Sequence, residues 1–492
     1  MKYLKIPYLF FHFLLLIGLC LNARSQEMSK LPNTPVGKIA QAFFLAFNSD
    51  DRMEMQEFIA SRRTASALKR ISLEKRMKMF DQQKKMIQVL DSLSIISDDS
   101  LKLSVLAYSH AIDSWFKLGF ELSAETQLLE SFLLRPGRAP KIQEEGSYGK
   151  WNNPKQLLEN IVEAENIPGI SLVTISAGRI DQVAVAGVRE IGKPARIGKN
   201  DRFHIGSITK SMTATLVGKL IEDKKLAFET SLKEVFPEMD MLPVYDEVSI
   251  RQLLDHQGGI PAYLMVTEEE EEKLLALAGS PEEQRLTFIK QVLLEEADQK
   301  AGSFSYSNAG YTLLAVICEQ ISGESWEELL EMHIFGPLKM NHSGIGWPNT
   351  QDQNQPVGHF GPAEKASAQG PDYFLGPYLD PAGDIHCSMK DLAKFLIAHL
   401  KGLNGQNTIL KAKTVQALHT SENGKNYAGG WMIRKTEQGQ LIYEHPGSAG
   451  TFMAYAGIDP ETQNGWVIAA NLGDLALDEI FKEIIDLISK RN

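Results

Sequence analysis

Ser207 and Lys210 stand three residues apart in Phe203-His204-Ile205-Gly206-Ser207-Ile208-Thr209-Lys210-Ser211-Met212-Thr213, and they bring a hydroxyl and an amine to one place. That is the minimum a nucleophilic reaction requires, because a serine hydroxyl is too weakly acidic to react without a neighbouring base. The stretch reads as a short apolar entry, a small-residue turn and a helix start, with Ala214, Leu216, Val217 and Leu220 continuing at helical spacing. A serine at such a start lies at the positive end of the helix dipole. Its own N–H is free to hold an oxyanion, and a lysine one turn later shares its face. A serine N-cap followed by a solvated lysine has the same spelling, so the pair needs partners elsewhere in the chain.

Two further stretches offer them. Phe304-Ser305-Tyr306-Ser307-Asn308-Ala309-Gly310-Tyr311 precedes an apolar helix, and His445-Pro446-Gly447-Ser448-Ala449-Gly450 lies between strand-like runs. Taken in order, Ser-x-x-Lys, Tyr-Ser-Asn and His-Pro-Gly resemble the three motifs of the penicillin-recognising serine hydrolases. That family holds class C β-lactamases, D-alanyl-D-alanine carboxypeptidases, D-aminopeptidases and esterases; a sister pattern is Ser-x-x-Lys, Ser-Asp-Asn and Lys-Thr-Gly. The likeness runs from Trp151 to the end of the chain.

The resemblance implies an α+β fold for that part: a β-lactamase-like antiparallel sheet flanked by helices, with an all-helical subdomain. It implies an acyl-enzyme on Ser207, with Lys210, Tyr306 and His445 as the other catalytic residues. Asn308 is expected to bond Lys210 and a substrate amide oxygen, Gly447 to let substrate lie flat along its strand, and the N–H of Ser448 to join that of Ser207 as oxyanion donor. Lys210, or a Tyr306 held as phenolate or sharing its proton, could each take the serine proton, and the residues alone leave both open. Where His445 stands, the sister pattern has a lysine. Histidine is largely neutral near pH 7, which points to an ester or D-amino-acid peptide ahead of a β-lactam. Pro446 lacks an N–H and belongs at an edge. His256, in Asp255-His256-Gln257-Gly258-Gly259, is expected to pack rather than react, and Asp384 departs from the family's Ala-Gly-Gly turn. The reading from another class is a binding or sensor protein that keeps the fold without turnover. A plain Ser/His/Asp hydrolase would need Gly-x-Ser-x-Gly, which Gly206-Ser207 does not continue.

The rest of the chain sets the frame. It has 492 residues and a formal net charge of −11, with no basic run, so nucleic acid is not an expected partner. No zinc-like cysteine spacing or phosphate-binding glycine loop occurs, and neither metal nor cofactor is expected. Residues 1–25 carry Lys2 and Lys5 and then an apolar run, which reads as a secretory signal ending at Ala23-Arg24-Ser25. Periplasmic or extracellular residence follows, with lipidation at Cys20 as a lesser alternative, so cell-envelope association is expected and oligomeric state is left open. Residues 34–140 read as a small α+β, cone-like domain of helices followed by strands at 102–110, 114–122 and 127–134. Residues 141–150 are a linker and 151–492 the hydrolase-like domain, whose substrate would be a small molecule or peptide. The glutamates at 268–272 repel one another and are expected on a solvated lid.

Overall fold

The computed structural model describes residues 31–137, 148–264, 268–361, 363, 366–370, 375–421, 426–436 and 438–491. The expected signal segment, Cys20 and most of the expected linker lie outside these residues. The chain divides into two compact units, 1–145 and 146–492.

In the first unit four helices, α1 (Pro35–Asn48), α2 (Arg52–Arg62), α3 (Ala65–Arg70) and α4 (Leu73–Ile87), precede four strands, β1 (Asp91–Asp98), β2 (Lys102–Ser109), β3 (Ser114–Leu122) and β4 (Leu129–Gly137). Side-chain caps at Thr34, Asp51, Thr64 and Ser72 start the helices. The strands form an antiparallel meander in the order β1-β2-β3-β4. Phe43, Phe44 and Phe47 of α1 meet Phe58, Phe80, Phe120 and Phe132 in its core. The sequence pattern anticipates three of the strands but not β1. Its Asp-Ser-Leu-Ser-Ile-Ile-Ser-Asp lacks clean alternation because it is an edge strand with an irregular register, half of it facing solvent.

The second unit is built on a seven-stranded antiparallel sheet. Its strands are β5 (Gly169–Ser176), β6 (Arg179–Gly187), β10 (Tyr427–Ala428), β11 (Trp431–Lys435), β12 (Leu441–Ser448), β13 (Met453–Asp459) and β14 (Asn464–Ala470), ordered β10-β11-β12-β13-β14-β5-β6. Strand side chains alternate between faces, and here both faces are buried. Ile170, Leu172, Met453, Tyr455 and Ile468 pack against helices α5 (Pro154–Glu165) and α11 (Leu477–Ser489). Val173, Ile175, Ala454, Ala456, Ile458 and Val467 face the other way, into the core shared with α6 (Thr209–Glu222) and α10 (Met389–Leu403). A smaller antiparallel sheet, β7 (Arg202–His204), β8 (Ser343–Ile345) and β9 (Ile385–Ser388), leads the chain into α6 in the order β7-β9-β8.

The helical side contains α7 (Glu268–Leu275), α8 (Pro281–Val292) and α9 (Asn308–Ser322). Glu271 and Glu272 are exposed while Leu274 is buried, so the acidic run is a solvated helix face. Arg285 of α8 is fully buried and holds both Glu319 and Glu327, so that neither its charge nor theirs is left unpaired. Among the described residues no helix is long and apolar enough to cross a membrane. Cys318 and Cys387 are buried free thiols.

Candidate active site

Three walls meet at Ser207. The first is the turn from β7 into α6. Gly206–Ile208 forms a 3-10 turn and α6 follows at Thr209, so Ser207 is carried on the turn rather than in the helix, and it is partly exposed. Lys210, one turn on, is fully buried. Its Nζ lies 3.3 Å from Ser207 Oγ, 2.8 Å from Asn308 Oδ1 and 2.7 Å from the Ala382 carbonyl oxygen. It also sits 4.7 Å from the centroid of the Tyr306 ring. Burial pushes the Lys210 amine well below its ordinary value of 10.5, because a charge is costly where water is excluded.

The second wall is the start of α9. The Ser307 hydroxyl caps the helix by accepting from Gly310 N–H, which sets Tyr306 and Asn308 on either side of the cap. Asn308 Oδ1 faces Lys210, and its Nδ2 donates to the Tyr263 carbonyl at 2.9 Å. One amide hydrogen is thus committed to the protein. The Tyr306 hydroxyl hydrogen-bonds to that of Ser207; burial raises the phenol above its ordinary value, and this bond only partly offsets it. A phenolate at Tyr306 is therefore disfavoured. His256 stacks on the Tyr306 ring at 4.2 Å, and its Nδ1 accepts from Ser307 N–H at 3.1 Å. It clamps the second motif from behind.

The third wall is the end of β12. Pairing with β11 stops at Glu444, while pairing with β13 continues to Ser448. From His445 onward β12 thus has an open edge, which is where Pro446 is tolerated. The open edge closes on the nucleophile turn. A Cβ on Gly447 would stand 1.9 Å from the Ile205 carbonyl oxygen, and one on Gly206 would stand 2.4 Å from the Ser448 nitrogen. Gly206, at φ +51°, and Gly447 are therefore the pair that lets two backbones touch and brings the peptide of Ser448 alongside that of Ser207. The space at Gly447 is filled by protein, so its smallness serves backbone packing in the first place, not the passage of substrate.

His445 is buried, with Nδ1 2.6 Å from the Pro446 carbonyl oxygen and Nε2 3.3 Å from the Tyr427 hydroxyl. A carbonyl can only accept, so Nδ1 carries the hydrogen and the Tyr427 hydroxyl donates to Nε2. Burial, and then the Lys210 charge, push its pKa down to about 4, which keeps it neutral at pH 7. His359 and His386 each bond backbone, at Asn471 and Gly346, and among the described residues no group of three metal-ligating side chains occurs.

Ser207, Lys210, Tyr306, Asn308, His445, Gly447 and Ser448 thus come from three far-apart segments to one cleft. Tyr427 and His204 also belong to the neighbourhood without a family motif of their own, and so does the carbonyl of Ala382, which lies in the turn where Asp384 departs from the family's Ala-Gly-Gly.

Comparison with known proteins bears on the family and the fold. The family described as Beta-lactamase matches residues 155–485. Protein flp of Staphylococcus aureus strain MW2 is 23% identical over 331 residues, covering 65% of this chain and 64% of its own length. The chain thus spans somewhat under two thirds of that relative. The octameric penicillin-binding protein homologue of Pyrococcus abyssi superposes with a TM-score of 0.55 at 25% identity, over 65% of this chain and 73% of that one. The D-amino acid amidase of Ochrobactrum anthropi SV3, solved with L-phenylalanine, gives 0.55 at 20% identity, over 67% and 95%. Since the family match takes in most of the second unit, strands, cleft and closing helix together, the chain belongs to the beta-lactamase family of serine hydrolases, with the fold its three motifs imply.

Proposed function

We propose that the protein is a hydrolase that forms an acyl-enzyme on Ser207 and cleaves an ester or a D-amino-acid amide or peptide. The observation that carries this reading is the set of three partners around Lys210 Nζ. A neutral amine has two N–H groups and one lone pair. Asn308 Oδ1 and the Ala382 carbonyl take the two N–H groups, which leaves the lone pair for the Ser207 hydroxyl. With the amine's basicity lowered by burial and the phenol's proton held more tightly, Lys210 is the base of the acylation step.

On attack, the serine proton moves to Lys210 and the carbonyl oxygen becomes an oxyanion facing the N–H groups of Ser207 and Ser448. Tyr306 then gives its hydroxyl proton to the leaving alcohol or amine and regains one from Lys210, which restores both groups. Water enters by the same route in reverse and releases the acid. The neutral His445, both nitrogens engaged, offers no cation to a substrate carboxylate. That favours substrates whose recognised end is uncharged over β-lactams and over peptides with a free C-terminal carboxylate. The likeness to a D-amino acid amidase supports the same class.

Labelling with a fluorescent fluorophosphonate tests the reading. The native protein is expected to be labelled and Ser207→Ala is not; an unlabelled native protein makes it a binding protein instead. A panel of p-nitrophenyl esters, D-amino acid amides, D-Ala-D-Ala peptides and nitrocefin then ranks substrates, with the first two expected to lead.

A further inference from the structure

Directly behind the nucleophile turn lies a buried polar layer that the reaction above does not use. His204, Asp384 and Asp380 are all buried. His204 Nδ1 lies 3.1 Å from Gly206 N, and Nε2 lies 2.7 Å from Asp384 Oδ1. A backbone N–H can only donate, so Nδ1 is bare, the hydrogen is on Nε2, and the imidazole is neutral. Trp347 stacks on the ring at 4.4 Å and fixes its plane. Gly346 N–H donates to the Asp384 backbone carbonyl at 2.8 Å. The Asp384 carboxyl shares a hydrogen bond with the Asp380 carboxyl, one of the two holding the proton that two adjacent buried acids must share.

Both ends of this layer reach the reacting centre. At one end is the peptide of Gly206, the residue with φ +51°, whose following peptide carries the Ser207 N–H. At the other is the turn Asp380–Gly383, whose Ala382 carbonyl holds Lys210 and whose Pro381 carbonyl accepts from Thr213. From this continuity we infer that His204 is a positioning residue for the oxyanion site, with Asp384 behind it. It holds the Gly206 peptide so that the Ser207 N–H faces the developing negative charge, while Asp384 fixes the tautomer that can do so and ties it to the turn that holds the base. An indirect role of this kind is what a histidine–carboxylate pair does for a metal ligand or a catalytic imidazole elsewhere, here applied to a backbone amide.

The inference rests on the hydrolase reading, and a pair of variants separates the two. In His204→Asn the side-chain oxygen can stand where Nδ1 stands and accept from Gly206 N–H, but it does not reach Asp384. In His204→Gln the amide nitrogen can stand where Nε2 stands and donate to Asp384, but the acceptor for Gly206 is gone. Hydrolysis of p-nitrophenyl butyrate is measured for both, beside thermal melting and fluorophosphonate labelling. His204→Gln is expected to lower kcat on the order of 10²-fold with KM little changed, the cost of a displaced reacting geometry, and His204→Asn to recover about tenfold of it. Asp384→Leu removes the acceptor for Nε2–H and Asp384→Asn keeps one; this pair carries the test if the histidine variants melt early, with kcat reduced in the leucine variant, largely kept in the asparagine variant, and KM held in both. Equal losses in the two histidine variants, a loss confined to KM, or an unchanged kcat in Asp384→Leu overturns the inference and leaves the hydrolase reading standing. A native protein with neither label nor ester turnover overturns both.

Discussion

The helical wall of the cleft and the strand wall are built on opposite plans. On the helical side, Lys210, Tyr306 and Asn308 sit in a lattice of short bonds: the amine to Ser207, Asn308 and Ala382, the amide to Tyr263, the cap to Gly310. Burial there shifts the amine and the phenol in opposite directions, the arrangement that the proposed base and acid require at one pH. On the strand side, β12 runs past the end of β11 and leaves an open edge, and its histidine is neutral with both nitrogens already engaged. The contrast teaches that the helical wall presents reactive side chains held from behind, whereas the strand wall presents mainly backbone.

That contrast can be broken from either wall, and the expected losses fall in order. Lys210→Met removes the lone pair; with Ser207→Ala as floor, kcat is expected to drop on the order of 10⁴-fold, since members of such a set act as a unit. Tyr306→Phe keeps the ring stacked on His256 but removes the proton for the leaving group. A fall of about 10³-fold is expected, smaller for p-nitrophenyl esters, whose leaving group needs little protonation, than for amides. Gly447→Ala drives a methyl into the Ile205 carbonyl and must part the strand from the nucleophile turn. It is expected to cost roughly 10²-fold in kcat, read beside a melting curve to show that the fold survives.

The mildest change sharpens the comparison instead. His445→Lys puts a cation on the strand wall, and relative kcat/KM for D-Ala-D-Ala peptides over neutral amides is expected to rise about tenfold, the worth of one charged hydrogen bond. The pH profile gives an independent check. In the proposed reaction Lys210 acts unprotonated, so kcat/KM is expected to fall as pH falls through its value, which burial places well below 10.5. A second cation at residue 445 disfavours protonated Lys210, so in His445→Lys the acid limb is expected to move to lower pH.

Much of this site was legible before any coordinates. Ser207, Lys210, Tyr306, Asn308, His445, Gly447 and Ser448 could be named because each motif couples a reactive side chain to a local structure that short-range rules describe: a turn into a helix, a capped helix start, a strand with a proline at its edge. Tyr427, His204 and Asp384 acquire meaning only through partners far along the chain, and no local pattern reports those. β1 escaped for a related reason, as an edge strand is held by one neighbour and need not alternate.

Order along the chain and residue type by themselves determined the sheet-and-helix class and singled out the candidate nucleophile, its amine and phenol, and the third-motif histidine. The tertiary structure alone decided that burial shifts the amine and the phenol in opposite directions, that both nitrogens of the histidine are engaged, and that Gly447 is small for the sake of Ile205. Those three depend on dielectric and on contact between remote segments, and burial is a property of the folded assembly rather than of any residue in it.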